Sequence, residues 1–186
     1  MTPKAPVSRE ALERAYKNSR GNLLLIVIFT LINALLAYFG SFSYFLFSAY
    51  LPYLSVMLGF ALTGHIETEL PVTIDGKYLV WFIGFAVLVL GLYLLFFLFS
   101  KKHYGWLIPA LVFFVIDTVF LVRDSFNGSF DFSVVMDLFF HAWVILSLAL
   151  GIVNGVKLKK LDAAEAAAST AQPDLADQTE DSVFKN

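Results

Sequence analysis

The sequence predicts an all-α, polytopic membrane protein: a bundle of four transmembrane helices with an aromatic re-entrant or interfacial segment after the first. Three observations lead there. Four long apolar stretches, at residues 22–40, 78–99, 104–122 and 133–156, are separated by short polar segments. Each is about long enough to cross a hydrocarbon core of ~30 Å at ~1.5 Å per helical residue. None shows the period-2 alternation of barrel strands, and in lipid only helices or closed barrels satisfy the backbone. The chain is 59% hydrophobic and 15% charged, with 20 Phe. A soluble domain averages about 45–50% apolar and about a quarter charged.

Residues 1–21 form a basic, amphipathic lead-in. Ser8 is placed to cap a helix, and Val7 and Leu12 occupy its two staple positions. Leu12, Ala15 and Tyr16 share one face, while Arg9, Glu13, Lys17 and Arg20 are solvated. Two readings stand. The helix lies on the inner leaflet, drawn to anionic lipid, or it is a solvated lead-in whose charges only set topology. The run that follows is as long as a span, and Ala34 and Ala37 are spaced one residue too far for signal cleavage. An uncleaved first helix is expected.

Residues 41–62 are apolar enough to span as well, and the distribution of basic residues decides against it. With four spans and the amino terminus cytoplasmic, Lys4, Arg9, Arg14, Lys17, Arg20, Lys101, Lys102, Lys157, Lys159, Lys160 and Lys185 lie inside. Only Lys77 and Arg123 lie outside. A fifth span would send Lys101, Lys102 and the carboxyl tail outside and leave the two sides almost even. Pro52 interrupts this stretch unless it starts a helix. Phe42, Tyr44, Phe45, Phe47, Tyr50 and Tyr53 crowd its first half, as interfacial aromatics do. An aromatic, partly extended approach followed by a short helix from near Pro52 is therefore expected. An ordinary span kinked at Pro52 is the competing reading.

The outer segment ends in a polar loop from His65 to Lys77, with a turn at Asp75-Gly76. Residues 71–74 suit a short extended piece. His65, Glu67 and Glu69 form H-x-E-x-E, which in an extended chain points one way. It is either a weak divalent-ion site or a solvated loop, and the motif alone lacks the fixed second shell that metal sites need. Beyond the fourth span, residues 161–186 are rich in Ala, Asp, Glu, Gln, Ser and Thr. Residues 163–168 can extend the last helix; the rest reads as a disordered, acidic cytoplasmic tail.

Ionisable residues inside spans are costly and mark candidate sites. Asp117, Asp137 and His141 qualify. Counted at ~1.5 Å per residue, Asp117 lies ~9 Å below the outer boundary, Asp137 ~6 Å and His141 ~12 Å. Asn33 in the first span lies at ~10 Å by the same count. Three helices thus bring polar groups to one level, and Asp137 and His141 share a helix face as i,i+4 partners. One reading is a proton or cation relay, or a polar ligand pocket, open to the outside. A second is interhelical glue worth ~0.6–2 kcal/mol per bond. A third puts Asp137 at the membrane interface.

Gly151 and Gly155 form a GxxxG in the last span, with Ser147 one turn earlier. Such a stripe serves close packing within the bundle or a homodimer face. Gly84 and Gly91 offer similar notches in the second span. Trp81, Trp106, Tyr78 and Tyr104 sit near span ends as interface anchors.

There is no cysteine, which removes disulfide exchange, thiolate metal sites and palmitoylation at Cys. No cofactor, metal or nucleic-acid motif stands out. The segment 15–25 (AYKNSRGNLLL), followed by 44–53 (YFLFSAYLPY), resembles a group of small uncharacterised four-span bacterial integral membrane proteins. The resemblance covers mainly the first third of the chain. It implies the layout just described, in the bacterial inner membrane, and no activity. A non-enzymatic accessory or interaction subunit is expected, in contact with the lipid bilayer and with another membrane protein or a second copy. The alternative is a small transporter or a ligand- or proton-binding protein using the Asp117, Asp137, His141 and Asn33 level. An intramembrane enzyme is disfavoured, because no Ser/His dyad, HExxH or repeated carboxylate signature is present.

Overall fold

A computed structural model describes residues 8–41, 45–67, 72–127 and 132–183, with side chains omitted at 127 and 171–183. Five α-helices follow in order: α1 (Arg9–Tyr38), α2 (Tyr50–Leu62), α3 (Leu79–Phe99), α4 (Leu107–Asn127) and α5 (Phe132–Val183). Short 3-10 turns, Gly76–Tyr78 and Tyr104–Trp106, lead into α3 and α4. No strand occurs among the described residues. Four of the helices are long and apolar enough to cross a membrane: Arg9–Tyr38, Gly76–Phe99, Tyr104–Phe126 and Phe132–Thr170. At 13 residues, α2 is shorter than the ~20 that a crossing requires.

The lead-in is not a separate helix. Ser8 caps α1 through Oγ, which accepts from Ala11 N at 3.3 Å. From there one helix runs through Gly21 without a break, while Val7 lies outside the described residues. The reason is packing. Leu12, Ser19, Leu23, Ile26, Thr30, Asn33 and Ala37 are buried at alternating spacings close to the heptad, so a single seam spans the whole helix. In α5, Asp137, His141, Val144, Leu148, Gly151 and Gly155 repeat the pattern. The core formed with α3 and α4 centres on Leu23, Ile26, Tyr93, Phe114, Val144 and Leu148.

The small-residue stripe of α5 is occupied inside the molecule. A Cβ on Gly151 would lie 2.7 Å from Ser19 Cβ, and one on Gly155 would lie 2.3 Å from Tyr104 Cβ. Ser147 Oγ accepts from Asn22 Nδ2 at 2.7 Å. These contacts close α5 on α1 and on the turn before α4, so the stripe is not free to serve as a homodimer face. Gly84 and Gly91 are not packing notches, since nothing lies within 4 Å of a Cβ built on either. That role falls to Gly59 of α2, where a Cβ would meet Phe82 Cβ at 2.7 Å.

Two glycines with positive φ end helices in the same way. Gly40 (φ 71°) and Gly64 (φ 74°) follow the C-caps of α1 and α2. Ser41 N donates to Leu36 O and Gly40 N to Ala37 O; His65 N donates to Phe60 O and Gly64 N to Ala61 O. Both are Schellman closures, which need the left-handed conformation that glycine adopts without strain. The ring of Tyr38 at the end of α1 lies 6.0 Å from that of Phe60 near the end of α2. The start of α2 lies instead beside Thr30, eight residues back along α1. Residues 45–62 therefore turn beside α1, with the start of α2 partway along it and the end of α2 back near its carboxyl end.

In the loop that follows, Asp75 caps the first 3-10 turn by accepting from Lys77 N at 2.9 Å. That bond and the Lys77 ammonium hold its carboxyl below the usual range. His65 faces Thr63 Oγ1 at 2.8 Å; Glu67 is exposed, and Glu69 lies outside the described residues.

The last helix extends through residues 163–168, as their composition allows. α5 continues as one helix to Val183. Alanine is the strongest helix former, and residues 163–168 carry five of them (163, 164, 166, 167, 168). Arg9 Nη2 also pairs with Asp162 at 2.7 Å and Arg9 Nη1 with Glu165, tying the extension to the start of α1.

The glycine assignments are testable by thermal unfolding in detergent. Gly59→Ala and Gly151→Ala should each destabilise by about 1–3 kcal/mol through overpacking. Gly84→Ala should be neutral or stabilise by up to about 1 kcal/mol, as expected for an open helical position. Equal effects at all three positions would contradict this packing.

Candidate functional site

The polar residues of the spans converge on one feature, the buried start of α2. A helix begins with four backbone N–H groups that have no partner within the helix. Here they belong to Ala49, Tyr50, Leu51 and position 52. Ala49, the N-cap, has no side chain to accept them. Each is satisfied differently. Ala49 N donates to Thr30 Oγ1 at 2.7 Å. Tyr50 N and Leu51 N donate to Asp117 Oδ2 and Oδ1 at 2.8 and 2.7 Å. Position 52 is proline and has no N–H to satisfy. Both oxygens of the carboxylate are thereby engaged, and its charge sits at the positive end of the α2 dipole.

The surrounding contacts extend this cap. Thr30 also donates to Ile26 O at 2.7 Å, so its hydroxyl is used both as donor and as acceptor. Asn33 clamps the descending chain at Phe45: its Nδ2 donates to Phe45 O, and Phe45 N donates to its Oδ1, each at 2.8 Å. Phe47, at φ 72°, turns the chain and packs its ring 4.0 Å from that of Phe140 and 6.3 Å from that of Phe29. On the far side, Tyr50 OH donates to Asp124 Oδ2 at 2.6 Å.

Behind Asp117 stands α5. His141 is fully buried, with its ring stacked on Phe114 at 4.9 Å and 14°. Its Nδ1 lies 2.9 Å from the carbonyl oxygen of Asp137. A carbonyl only accepts, so Nδ1 carries a proton. Its Nε2 faces Asp117 Oδ2 at 3.5 Å, too long for a good bond, and has no hydrogen-bond partner among the described residues. Asp137 Oδ1 lies 3.5 Å from Nδ1. One face of Asp117 thus looks to the helix start of α2 and the other to an imidazole edge.

Of the residues singled out from the sequence, Asp117, Asp137 and His141 come together. Asn33 is buried nearby but serves the chain at Phe45. Thr30, Tyr50 and Asp124 belong to the same network and were not singled out. Thr30 had a readable signal, since it continues the buried seam of Leu23 and Ile26. Tyr50 and Asp124 had none, because their partnership depends on the path of segment 41–62. Comparison of the chain with protein-family models, with curated proteins and with solved structures yields no match.

Unsatisfied buried N–H groups cost about 1–3 kcal/mol each. Thr30→Val keeps the shape but removes the acceptor for Ala49, and should destabilise by about that amount. Asp117→Ala strips two N–H groups and should cost roughly 2–6 kcal/mol. The check is unfolding in mixed micelles. An unaltered Thr30→Val protein would mean that the start of α2 is not sealed from water.

Proposed function

We propose a non-enzymatic, multi-pass membrane protein whose buried polar centre is structural, acting as an accessory or interaction subunit. Both termini lie on the cytoplasmic side of the cell membrane, and segment 41–62 is re-entrant from the outer face. The single observation that carries this reading is the commitment of both Asp117 oxygens to Tyr50 N and Leu51 N. A carboxylate in a span is by default a candidate for transport chemistry. This one is spent on holding a broken helix, the circumstance in which irregular backbone is tolerated at membrane depth.

The outward faces of the long helices support insertion: Val80, Trp81, Leu88, Val119 and Phe139 are all more than half exposed. Three of the basic residues expected inside, Lys101, Lys102 and Lys159, line one cleft together with Tyr16 and Ser100. Tyr38, Phe39 and Phe45, exposed beside the re-entrant segment, offer a contact surface for another membrane protein.

A second reading has one observation of its own. His141 Nε2 is buried without a hydrogen-bond partner and faces a carboxylate. That edge suits a proton or a small cation, and would make the protein a small transporter.

The absence of cysteine makes the topology directly testable, because a single introduced thiol is labelled without background. Cysteines at Gly40, Gly64 and Gly76 should all react with an impermeant maleimide from outside, and one at Lys160 only after permeabilisation. Labelling of positions 40 and 64 from opposite sides would overturn the re-entrant segment. Vesicles holding a pH-sensitive dye separate the two functions. No proton flux above empty vesicles is expected; a flux abolished by His141→Gln would establish the second reading instead.

A further inference from the structure

The opposite end of the bundle holds a cleft of about 390 Å³ between α1, the α3–α4 turn and α5. Its wall carries Lys101, Lys102, His103 and Lys159, with Tyr16 and Ser100 among the other lining groups. The lysines are exposed, and the ion pairs of the described residues leave all three out. The acidic lining group, Asp162, is already paired with Arg9 at 2.7 Å. Beside Ser100 lies one more cation. Arg20 Nε donates to Ser100 Oγ at 2.8 Å and Nη2 to Phe97 O at 2.9 Å, with the guanidinium 5.1 Å from the Phe97 ring centre. Those partners are neutral, so its charge is not cancelled locally.

The cleft is also built rather than incidental. Tyr16 OH donates to Ser100 O, which fixes its side against α1. Tyr104 lies against Gly155, where no side chain larger than hydrogen fits without displacement. A concave site with a surplus of uncompensated cations suits a phosphate oxyanion.

We infer that this cleft binds a phosphate-bearing group through Lys101, Lys102 and Lys159. Two sources share that chemistry, the headgroup of an anionic phospholipid and a free phosphate. The place of the cleft at the end of apolar helices, with Trp106 two residues beyond Tyr104, gives a lipid headgroup direct access.

Trp106 supplies the reporter. It is 40% exposed, and Trp81 and Trp143, both largely exposed, can be replaced by phenylalanine. The full chain carrying Trp81→Phe and Trp143→Phe is reconstituted in phosphatidylcholine vesicles containing either brominated phosphatidylglycerol or brominated phosphatidylcholine. Stronger quenching by the brominated phosphatidylglycerol is expected. Replacing Lys101, Lys102 and Lys159 by glutamine should remove most of that preference, at about fivefold per lysine near an anionic surface. Replacing Lys17, Lys157 and Lys160, which do not line the cleft, should leave most of it.

A response of Trp106 to inorganic phosphate, absent with sodium chloride of equal ionic strength and lost with the cleft lysines, would identify the free anion as the source. The inference is overturned if the unsubstituted cleft shows neither a phosphatidylglycerol preference nor a phosphate response. It is equally overturned if the two lysine triples lose the preference alike, which would mean diffuse attraction.

Discussion

The start of α2 is the constraint on which the rest of the structure depends. Four backbone N–H positions are placed in the middle of a bundle, where unpartnered donors are expensive. One is abolished by Pro52, one is taken by Thr30 of α1, and two by Asp117 of α4. Three elements are thereby fixed to one another at a single point. Moving α1 along its axis would uncover Ala49, and moving α4 would uncover Tyr50 and Leu51. The aromatic approach, the register of the seam and the closeness of α2 to α3 all follow from keeping that point covered.

Residue placement along α1 shows how far the constraint reaches. Thr30 and Asn33 occupy seam positions that would otherwise hold leucine or isoleucine, as Leu23 and Ile26 do one turn or two earlier. Polar groups at seam positions fix register at some cost in stability. Nearer its amino end, the same helix uses Tyr16 and Arg20 against Ser100 and the Phe97 carbonyl, where α3 has run out of helical donors for its last carbonyls. α1 therefore supplies acceptors to a helix start and donors to a helix end. Its continuity through Gly21 lets one rigid rod do both.

Much of this was legible in the sequence, for physical reasons. Bilayer thickness sets span length, so four long helices were expected; α3 and α4 lie within about five residues of their expected bounds, while α1 begins well before its span and α5 runs well beyond its own. Counting 1.5 Å per residue brought Asp117, Asp137 and His141 to one level because straight helices preserve depth. What depth cannot show is direction. Asp117 turns toward the backbone of a segment 66 and 67 residues away, and no local pattern encodes that. Asn33, counted to the same level, serves Phe45 instead. Glycine spacing misled in a similar way: Gly84 and Gly91 recur at helical intervals but face open space, whereas Gly59 stands alone and is tightly packed. In the tail, alanine with acidic residues suits both a helix and a disordered chain. The deciding contact, Arg9 with Asp162 and Glu165, joins the two ends of the sequence.

The two chemical faces of Asp117 explain why a buried carboxylate is used here rather than a neutral acceptor. A serine or asparagine would have to share one oxygen between the two N–H groups; a carboxylate presents one oxygen to each and adds a full charge to meet the helix dipole. That charge must itself be tolerated in a nearly solvent-free interior. His141 stands 3.5 Å away, oriented by the Asp137 carbonyl and by stacking on Phe114, with its Nε2 edge directed at the same oxygen that accepts from Tyr50. The imidazole is thus a polar neighbour supplied from α5, beside the carboxylate of α4 that caps α2. A helix that starts within the bundle needs acceptors for its first N–H groups, and here Asp117 supplies two of them with the edge of His141 behind it. The Asp137–His141 spacing on one face of α5 is the local feature that provides that edge.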